Sequence, residues 1–456
     1  MNVYTGISLG ITIAAFIASA ALFILSTPAN GGIVLALAIL LLGFFLRRLP
    51  SLAGTYYTFI ILSCVAAGLS KPDWFMFIYP SWFGLSGEPI KCTELITPLI
   101  QIIMFGMGTQ LTLRDFQAVA FQPKGVFVGL GLQFLVMPIS GLALATLCGM
   151  LSEQFGLGPE ILAGIILVGC SPSGVASNVM SFLAKANVAL SVTLSACSTL
   201  VAPFLTPWYM EFFASQFIEV NAVQMMASML GIVIYPIIAG LLFKSVQMYG
   251  LTRRRSVTIQ ALVYSFLIFV LHILFIWTGL YSCSEALHKA LVTIAYCVVA
   301  PALASAVLRP LLTGREEKVE HFLAFLSSLA VGLVILATVT VGHKSLMAVG
   351  GILLIVCLAH NLLGYVIGYA MARLCRLSKK DCRTISIEVG IQNSGLATSI
   401  ANDMGKVTTL GLAPTIFGCF MNTTGSILAA IWRNIPCEEK HNKKPKSMEE
   451  NAENNV

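Results

Sequence analysis

The chain has 456 residues, 57% of them hydrophobic and only 10% charged, with a formal net charge of +7. A soluble domain carries roughly 25% charged residues, so this composition excludes a soluble globular protein. It indicates a polytopic membrane protein whose exterior is apolar because lipid surrounds it.

In chain order, the opening MNVYTGISLG has no Lys or Arg ahead of its apolar run. It therefore reads as a retained helix and not as a secretory signal. Apolar runs of about 18–28 residues, each long enough to span a bilayer, are expected at 7–26, 31–48, 53–70, 93–112, 124–150, 160–183, 187–213, 221–243, 256–280, 286–312, 319–342, 346–374, 384–402 and 406–432. The segment 71–92, KPDWFMFIYPSWFGLSGEPIKC, is rich in aromatics and proline. It reads as a loop lying in the membrane interface, where Trp and Tyr prefer to sit. Beyond Asn434 the chain is polar, with Lys and Glu mixed, and reads as a disordered, solvated tail.

Charge tests the span count. With fourteen spans, 22 of the 27 Lys and Arg fall on one side, and Lys71, Lys91, Lys289, Lys344 and Lys406 fall on the other. Basic residues favour the cytoplasm, so both termini are expected there. Twelve cysteines lie in apolar stretches without CxxC spacing and read as small core residues. The six histidines share no metal-ligand spacing.

SGVAS (Ser173–Ser177) and SGLAT (Ser394–Thr398) stand 221 residues apart, and the same offset takes Lys185 to Lys406. Each motif lies in the penultimate span of a seven-span half. Seven is odd, so the halves are expected to lie inverted in the membrane, as in many transporters. Two similar small-residue packing helices are the plainer alternative. The expected parts are 1–52 with two additional helices, 53–213 as the first repeat, 214–434 as the second with two additional helices, and 435–456 as the tail.

Two polar segments interrupt the apolar pattern. In GCSPSGVASNVM (Gly169–Met180), Pro172 and Gly174 predict a broken helix with free carbonyls, which membranes tolerate only where backbone lines a cavity or meets partners. In IEVGIQNSGLA (Ile387–Ala397), Glu388 is the acidic residue placed clearly within a span. An ionised carboxylate there costs several kcal/mol unless paired, and the spans offer no basic partner inside them. A sodium ion with carboxylate, amide, hydroxyl and carbonyl ligands is one answer. An interfacial pairing with Arg383 or Lys380 is the other, but it leaves the deeper Gln392, Asn393 and Ser394 without a reason. Gln133, the pair His360–Asn361, and Asn422 each read first as interhelical hydrogen-bonding residues. Ser191 and Ser195 lie one turn apart on one face, or bond back to their own helix.

The stretches 96–116, 132–138, 169–207, 235–240, 359–365, 388–397 and 420–429 resemble the bile acid:sodium symporter family, in the family's order. The resemblance implies a ten-helix core of two inverted five-helix repeats with two broken crossing helices, coupling sodium to organic-anion uptake. It implies one sodium site from Ser177, Asn178, Ser191, Ser195 and Glu388. It implies a second from Gln133, Glu388, Gln392 and the carbonyls of Val389 and Ile391. Substrate contacts are expected at Ser173, Val175, Asn393 and Asn422. The chain departs from the family at Ser173-Gly174-Val175, where two glycines and a threonine are frequent, and at Met421–Asn422, where a His-Asn pair is frequent. Both lie near the family's substrate cavity.

The expected fold is thus an all-α polytopic membrane protein of about fourteen transmembrane helices as two inverted seven-helix repeats. The expected function is sodium-dependent symport of a small organic anion such as a bile acid, keto acid or pantoate-like carboxylate. Sodium is then co-transported and not a prosthetic group. No enzymatic motif and no nucleic-acid partner are indicated. A cation/proton antiporter of similar architecture and a transport-inactive membrane sensor are the competing readings. Asn178 without a neighbouring aspartate argues against the first, and an intact sodium constellation against the second.

Overall fold

A computed structural model describes residues 28–46, 56–78, 88–111, 119, 121–151, 156–248 and 316–437. The spans expected at 7–26, 256–280 and 286–312, and nearly all of the tail, lie outside these residues.

Helices dominate. They are α1 (Pro28–Leu46), α2 (Tyr56–Ser70), α3 (Pro72–Met76), α4 (Ile96–Gln110), α5 (Pro123–Met150), α6 (Pro159–Cys170), α7 (Ala176–Leu183), α8 (Val188–Ala214), α9 (Ala222–Met229), α10 (Tyr235–Met248), α11 (Glu316–Val341), α12 (His343–Leu374), α13 (Lys379–Gly390), α14 (Ser394–Asp403) and α15 (Leu412–Arg433). Among the described residues six helical stretches are long and apolar enough to cross a membrane: Cys92–Gln110, Pro123–Met150, Val188–Ala214, Ala222–Leu241, His343–Leu374 and Leu412–Arg433. Their outer faces are apolar as well, with Phe127 70%, Phe212 72% and Val366 65% exposed. Side chains of this kind are stable outside only against lipid, so the protein is an integral, multi-pass membrane protein.

The helix starts follow local chemistry. Pro123 and Pro159 occupy first-turn positions where no donor is needed. Asn187, Asn221, Ser378 and Asn393 each accept a backbone N–H of the first turn. Ahead of Pro236 the chain takes one π turn at Leu230–Ile234, which absorbs the missing donor and ring bulk of the proline.

The described parts of the segment read as an interfacial loop, 71–78 and 88–92, hold short regular elements. Proline 72 opens α3, and two strands, β1 (Phe77–Ile78) and β2 (Ile90–Lys91), pair antiparallel with Phe77 opposite Lys91. Aromatic and β-branched residues favour that ribbon.

The two expected breaks are present. The chain leaves helical geometry between α6 and α7 and again between α13 and α14, and the two interruptions meet. Ser173 bridges Gln392 antiparallel. Gly174 N donates to Ile391 O at 2.9 Å, and Asn393 N donates to Pro172 O at 2.8 Å. Each break thus satisfies backbone groups that the other leaves free, as a low-dielectric interior requires. Asn361 Nδ2 donates to the freed carbonyl of Gly390 at 2.8 Å. His360 Nε2 lies 3.1 Å from Met137 O.

Arg383 is a structural tie, not an ion partner. It is 4% exposed, and its guanidinium donates to Ala184 O at 3.2 Å, Trp432 O at 3.0 Å and Ile435 O at 2.8 Å. It joins the ends of α7 and α15 to α13. Removing a charged donor from buried acceptors costs about 3 kcal/mol, so Arg383→Ala is expected to lower the melting temperature sharply in detergent. Arg383→Lys should recover only part, because an ammonium lacks the planar fork. An unchanged melting temperature in the alanine variant would show that these carbonyls find other donors.

Candidate ion and substrate site

Glu388 ends up 2% exposed beside the crossing. Its partners among the described residues are hydroxyls. Ser191 Oγ donates to Oε1 and Ser173 Oγ to Oε2, both in short contacts. Ser195 Oγ lies 3.0 Å from Oε2. Ser177 Oγ is 3.1 Å from Ser195 Oγ. Asn178 Oδ1 lies 3.0 Å from Ser191 Oγ and 3.3 Å from Ser195 Oγ. The interfacial pairing with Arg383 or Lys380 is therefore not what holds Glu388.

The serines come together because α7 carries Ser177 and Asn178 on its first turn, while α8 presents Ser191 and Ser195 one turn apart toward it. A serine has one hydroxyl proton. Ser191 and Ser195 each face both Asn178 Oδ1 and the Glu388 carboxylate, so acceptor contacts outnumber protons. Hard oxygens in such excess, around one carboxylate, are the donor set that a hard monovalent cation takes. All five residues of the first expected sodium site thus converge.

The second expected set is also assembled, with its amides paired. Gln133 Nε2 donates to Gln392 Oε1 at 2.8 Å and to Ser171 O at 3.2 Å. Gln392 Nε2 donates to Val389 O at 2.6 Å. The Ile391 carbonyl accepts from Gly174 N. Gln133 Oε1 is buried without a hydrogen-bond partner. Such an orphan costs about 1–3 kcal/mol, and a cation beside it would remove that cost.

The expected substrate residues divide. Val175, Asn393 and Asn422 line a cavity of about 190 Å³ beside the crossing, together with Gln110, Asn178, Ser327 and Gln392. Ser173 instead turns its hydroxyl to Glu388. Asn393 Oδ1 caps Leu396 N at 3.0 Å, and its Nδ2 is buried without a partner. Asn422 Nδ2 bonds back to Gly418 O at 3.0 Å. The first turns of both α7 and α14 border the cavity at Ala176, Ser394 and Gly395, so two helix N-termini face it with their positive dipole ends. Gln110 and Ser327 were not legible as site residues. A single amide or hydroxyl on an apolar helix carries no mark of the cavity it meets.

Away from the crossing, Lys406 Nζ pairs with Glu160 Oε1 at 2.6 Å, and Thr409 donates to the same carboxylate. The Lys406 ammonium, then the Thr409 hydroxyl, hold the Glu160 carboxyl below its ordinary value of 4.5. A carboxyl depressed in the folded state stabilises above that value, and its contribution fades as pH falls through the lower folded value. The pair is one-third exposed, so its worth is only about 0.2–1 kcal/mol. Glu160→Gln should cost that much at neutral pH and nothing once Glu160 itself is protonated. Melts of both proteins from neutral to strongly acidic pH should therefore converge; parallel curves would remove the ion pair from the account.

Comparisons with known proteins point to sodium-dependent transporters. The model of the sodium bile acid symporter family matches residues 97–284. The chain is 29% identical to the uncharacterized sodium-dependent transporter YocS of Bacillus subtilis, over 85% of this chain and 94% of that protein. It is 29% identical to the probable sodium/metabolite cotransporter BASS1, chloroplastic, of Arabidopsis thaliana, over 82% of this chain and 72% of the relative. It is 28% identical to the ileal sodium/bile acid cotransporter of Oryctolagus cuniculus over a shorter stretch, 28% of this chain and 35% of the relative. The fold is that of a multi-pass membrane protein, and the relatives that the chain resembles are sodium-dependent transporters by name. The family it resembles, by motif and by comparison alike, is the sodium bile acid symporter family.

Proposed function

We propose that the protein is a sodium-coupled symporter that imports a small organic anion by alternating access, and that it is not an enzyme. The observation that carries this is the buried Glu388 carboxylate ringed by hydroxyl and amide oxygens where two broken helices cross. In this reading Ser177, Asn178, Ser191, Ser195 and Glu388 hold one sodium ion. Gln133, Glu388, Gln392 and the Val389 and Ile391 carbonyls hold a second. Glu388 is common to both, so binding of either ion fixes the crossing that borders the cavity. The substrate carboxylate then meets the N-termini of α7 and α14 and the free Asn393 amide. The cavity, at about 190 Å³, is below the roughly 300–1,000 Å³ usual for drug-sized ligands. That favours a carboxylate of keto-acid or pantoate size over a steroid in this conformation.

In this reading the chain is built as an inverted repeat, and the spacing of its helices supports that. α4, α5, α6, α7 and α8 have counterparts in α11, α12, α13, α14 and α15, each beginning about 220 residues later. Rocking of one bundle against the other around a fixed site is the motion such symmetry permits. Fourteen spans with both termini cytoplasmic, and repeats over 53–213 and 214–434, complete the reading. The antiporter alternative is disfavoured because the site presents one carboxylate among amides and hydroxyls.

The test is uptake into proteoliposomes of a panel of small carboxylates under an inward sodium gradient. Accumulation driven by sodium, absent with potassium and abolished when the gradient is collapsed, is the expected result. Uptake indifferent to the cation would sink the coupling.

A further inference from the structure

A second concavity lies at the far end of α13, well away from the sodium and substrate residues. It has a volume of about 680 Å³ and its described lining includes Lys185, Lys379, Lys380, Arg383 and Arg433, with no acidic side chain among the described lining residues. Asp381, on the same helix as Lys379 and Lys380, is engaged elsewhere: its carboxylate bonds the Asn187 amide and the Ser378 hydroxyl, each at 2.7 Å. The first turn of the 12-residue helix α13 opens on the same concavity, adding its dipole to the basic side chains.

Backbone geometry adds an independent observation. After α7 the chain turns with Lys185 N donating to Phe182 O and Ala186 N to Ser181 O, and Lys185 has φ 53. After α14 the same turn recurs, with Gly405 N donating to Asn402 O, Lys406 N to Ala401 O, and Gly405 at φ 70. The structural counterpart of Lys185 is thus Gly405 and not Lys406, one residue from the offset the motifs set. Glycine is unstrained in the left-handed region and lysine is not. The chain places a cation at the rim of this concavity at a position where its own second half uses the residue that fits.

Aromatic side chains lie beside it. Trp432 and Tyr369 pack with ring centres 5.6 Å apart and planes tilted by 36°, and the Arg383 guanidinium sits 5.7 Å from the Trp432 ring. Such aromatic residues gather at headgroup level.

We propose that this concavity binds a phosphate-bearing anion, gripped chiefly by Lys185, Lys379, Lys380 and Arg433. Clustered ammonium and guanidinium donors around a helix N-terminus suit a multi-oxygen, doubly charged group. The phosphate of an anionic lipid headgroup and free phosphate share that chemistry, and the neighbouring Trp432 and Tyr369, residue types that gather at headgroup level, favour the lipid. The general excess of basic residues on one membrane side predicts dispersed charges and no preference among lipids, so the two accounts separate by experiment. Neither depends on sodium coupling.

The full-length protein in detergent is titrated with phosphatidylglycerol, with phosphatidylcholine and with inorganic phosphate, followed by native mass spectrometry and by melting temperature. Lys379→Gln with Lys380→Gln removes two exposed cations, and Lys344→Gln is the control at the start of α12. The expected result is roughly tenfold tighter binding of phosphatidylglycerol than of phosphatidylcholine by the wild type, with most of that preference lost in the double variant and kept in the control. An unaltered ligand-free melting temperature shows that the double variant is folded. Stabilisation by phosphate alone, without lipid preference and lost in the double variant, assigns the same site to a soluble anion. Equal binding of both lipids with no effect of phosphate overturns the proposal, as does an equal loss in the control.

Discussion

Replacing Glu388 by glutamine is expected to remove any stabilisation by sodium over potassium, while leaving the protein in potassium as stable as the wild type or more so. The sign follows from the site. Glu388 is a buried carboxylate whose partners are neutral hydroxyls. Neutralising an unpaired buried charge is not destabilising in itself, and an isosteric amide keeps the volume. A sodium ion held there would, in contrast, lose the one formal negative charge among the described residues around it. A ligand present at 100 times its dissociation constant stabilises by about 2.7 kcal/mol, and that whole increment is what the variant should lose. Paired melts in sodium and potassium chloride read it directly. A variant that still distinguishes the two ions would move the cation away from Glu388.

Gly174→Ala is expected to disable the same response from the backbone side. A Cβ at residue 174 would stand 2.7 Å from Gln392 O and 3.1 Å from Gln392 C. Both are main-chain atoms of the opposing break, which cannot swing aside as a side chain does. The Gly174 N to Ile391 O bond has to lengthen, and the two helix breaks part. Overpacking of this kind costs roughly 1–3 kcal/mol, and here it also displaces Ser173 and Gln392 from the ion residues. Gly131→Ala on α5 meets nothing within 4 Å and serves as the control, expected to be neutral. If Gly174→Ala melts like the wild type and keeps its sodium increment, the crossing is looser than the hydrogen bonds at 172–174 and 391–393 imply.

Much of this architecture was legible beforehand because lipid imposes strong rules. Long apolar runs mark spans, so 124–150 and 346–374 fall within a few residues of α5 and α12. Proline and glycine in a membrane helix demand a break, and Pro172 and Gly174 supply one. The ribbon at Phe77–Ile78 and Ile90–Lys91 was not legible. Strands of two residues are too short for a period to show, and pairing across a gap depends on what the rest of the chain holds in place.

The one-residue slip between Lys185 and Lys406 has a similar origin. Sequence offset counts residues, whereas a helix ends where its capping bonds close, and α14 closes one residue sooner after its motif than α7 does.

The sequence by itself determined the solvent, the breaks and the chemical inventory: a chain for lipid, two interrupted helices, and one intramembrane carboxylate among amides and hydroxyls. Only the tertiary structure decided which oxygens share that carboxylate, because residues 173, 191, 195 and 388 become neighbours through packing and not through spacing. It also decided that Ser173 turns its hydroxyl to Glu388 while Asn393 lines the cavity. A break in a helix fixes that backbone groups are freed. Their partners depend on what the opposing break brings within 3 Å, and that is a property of the fold.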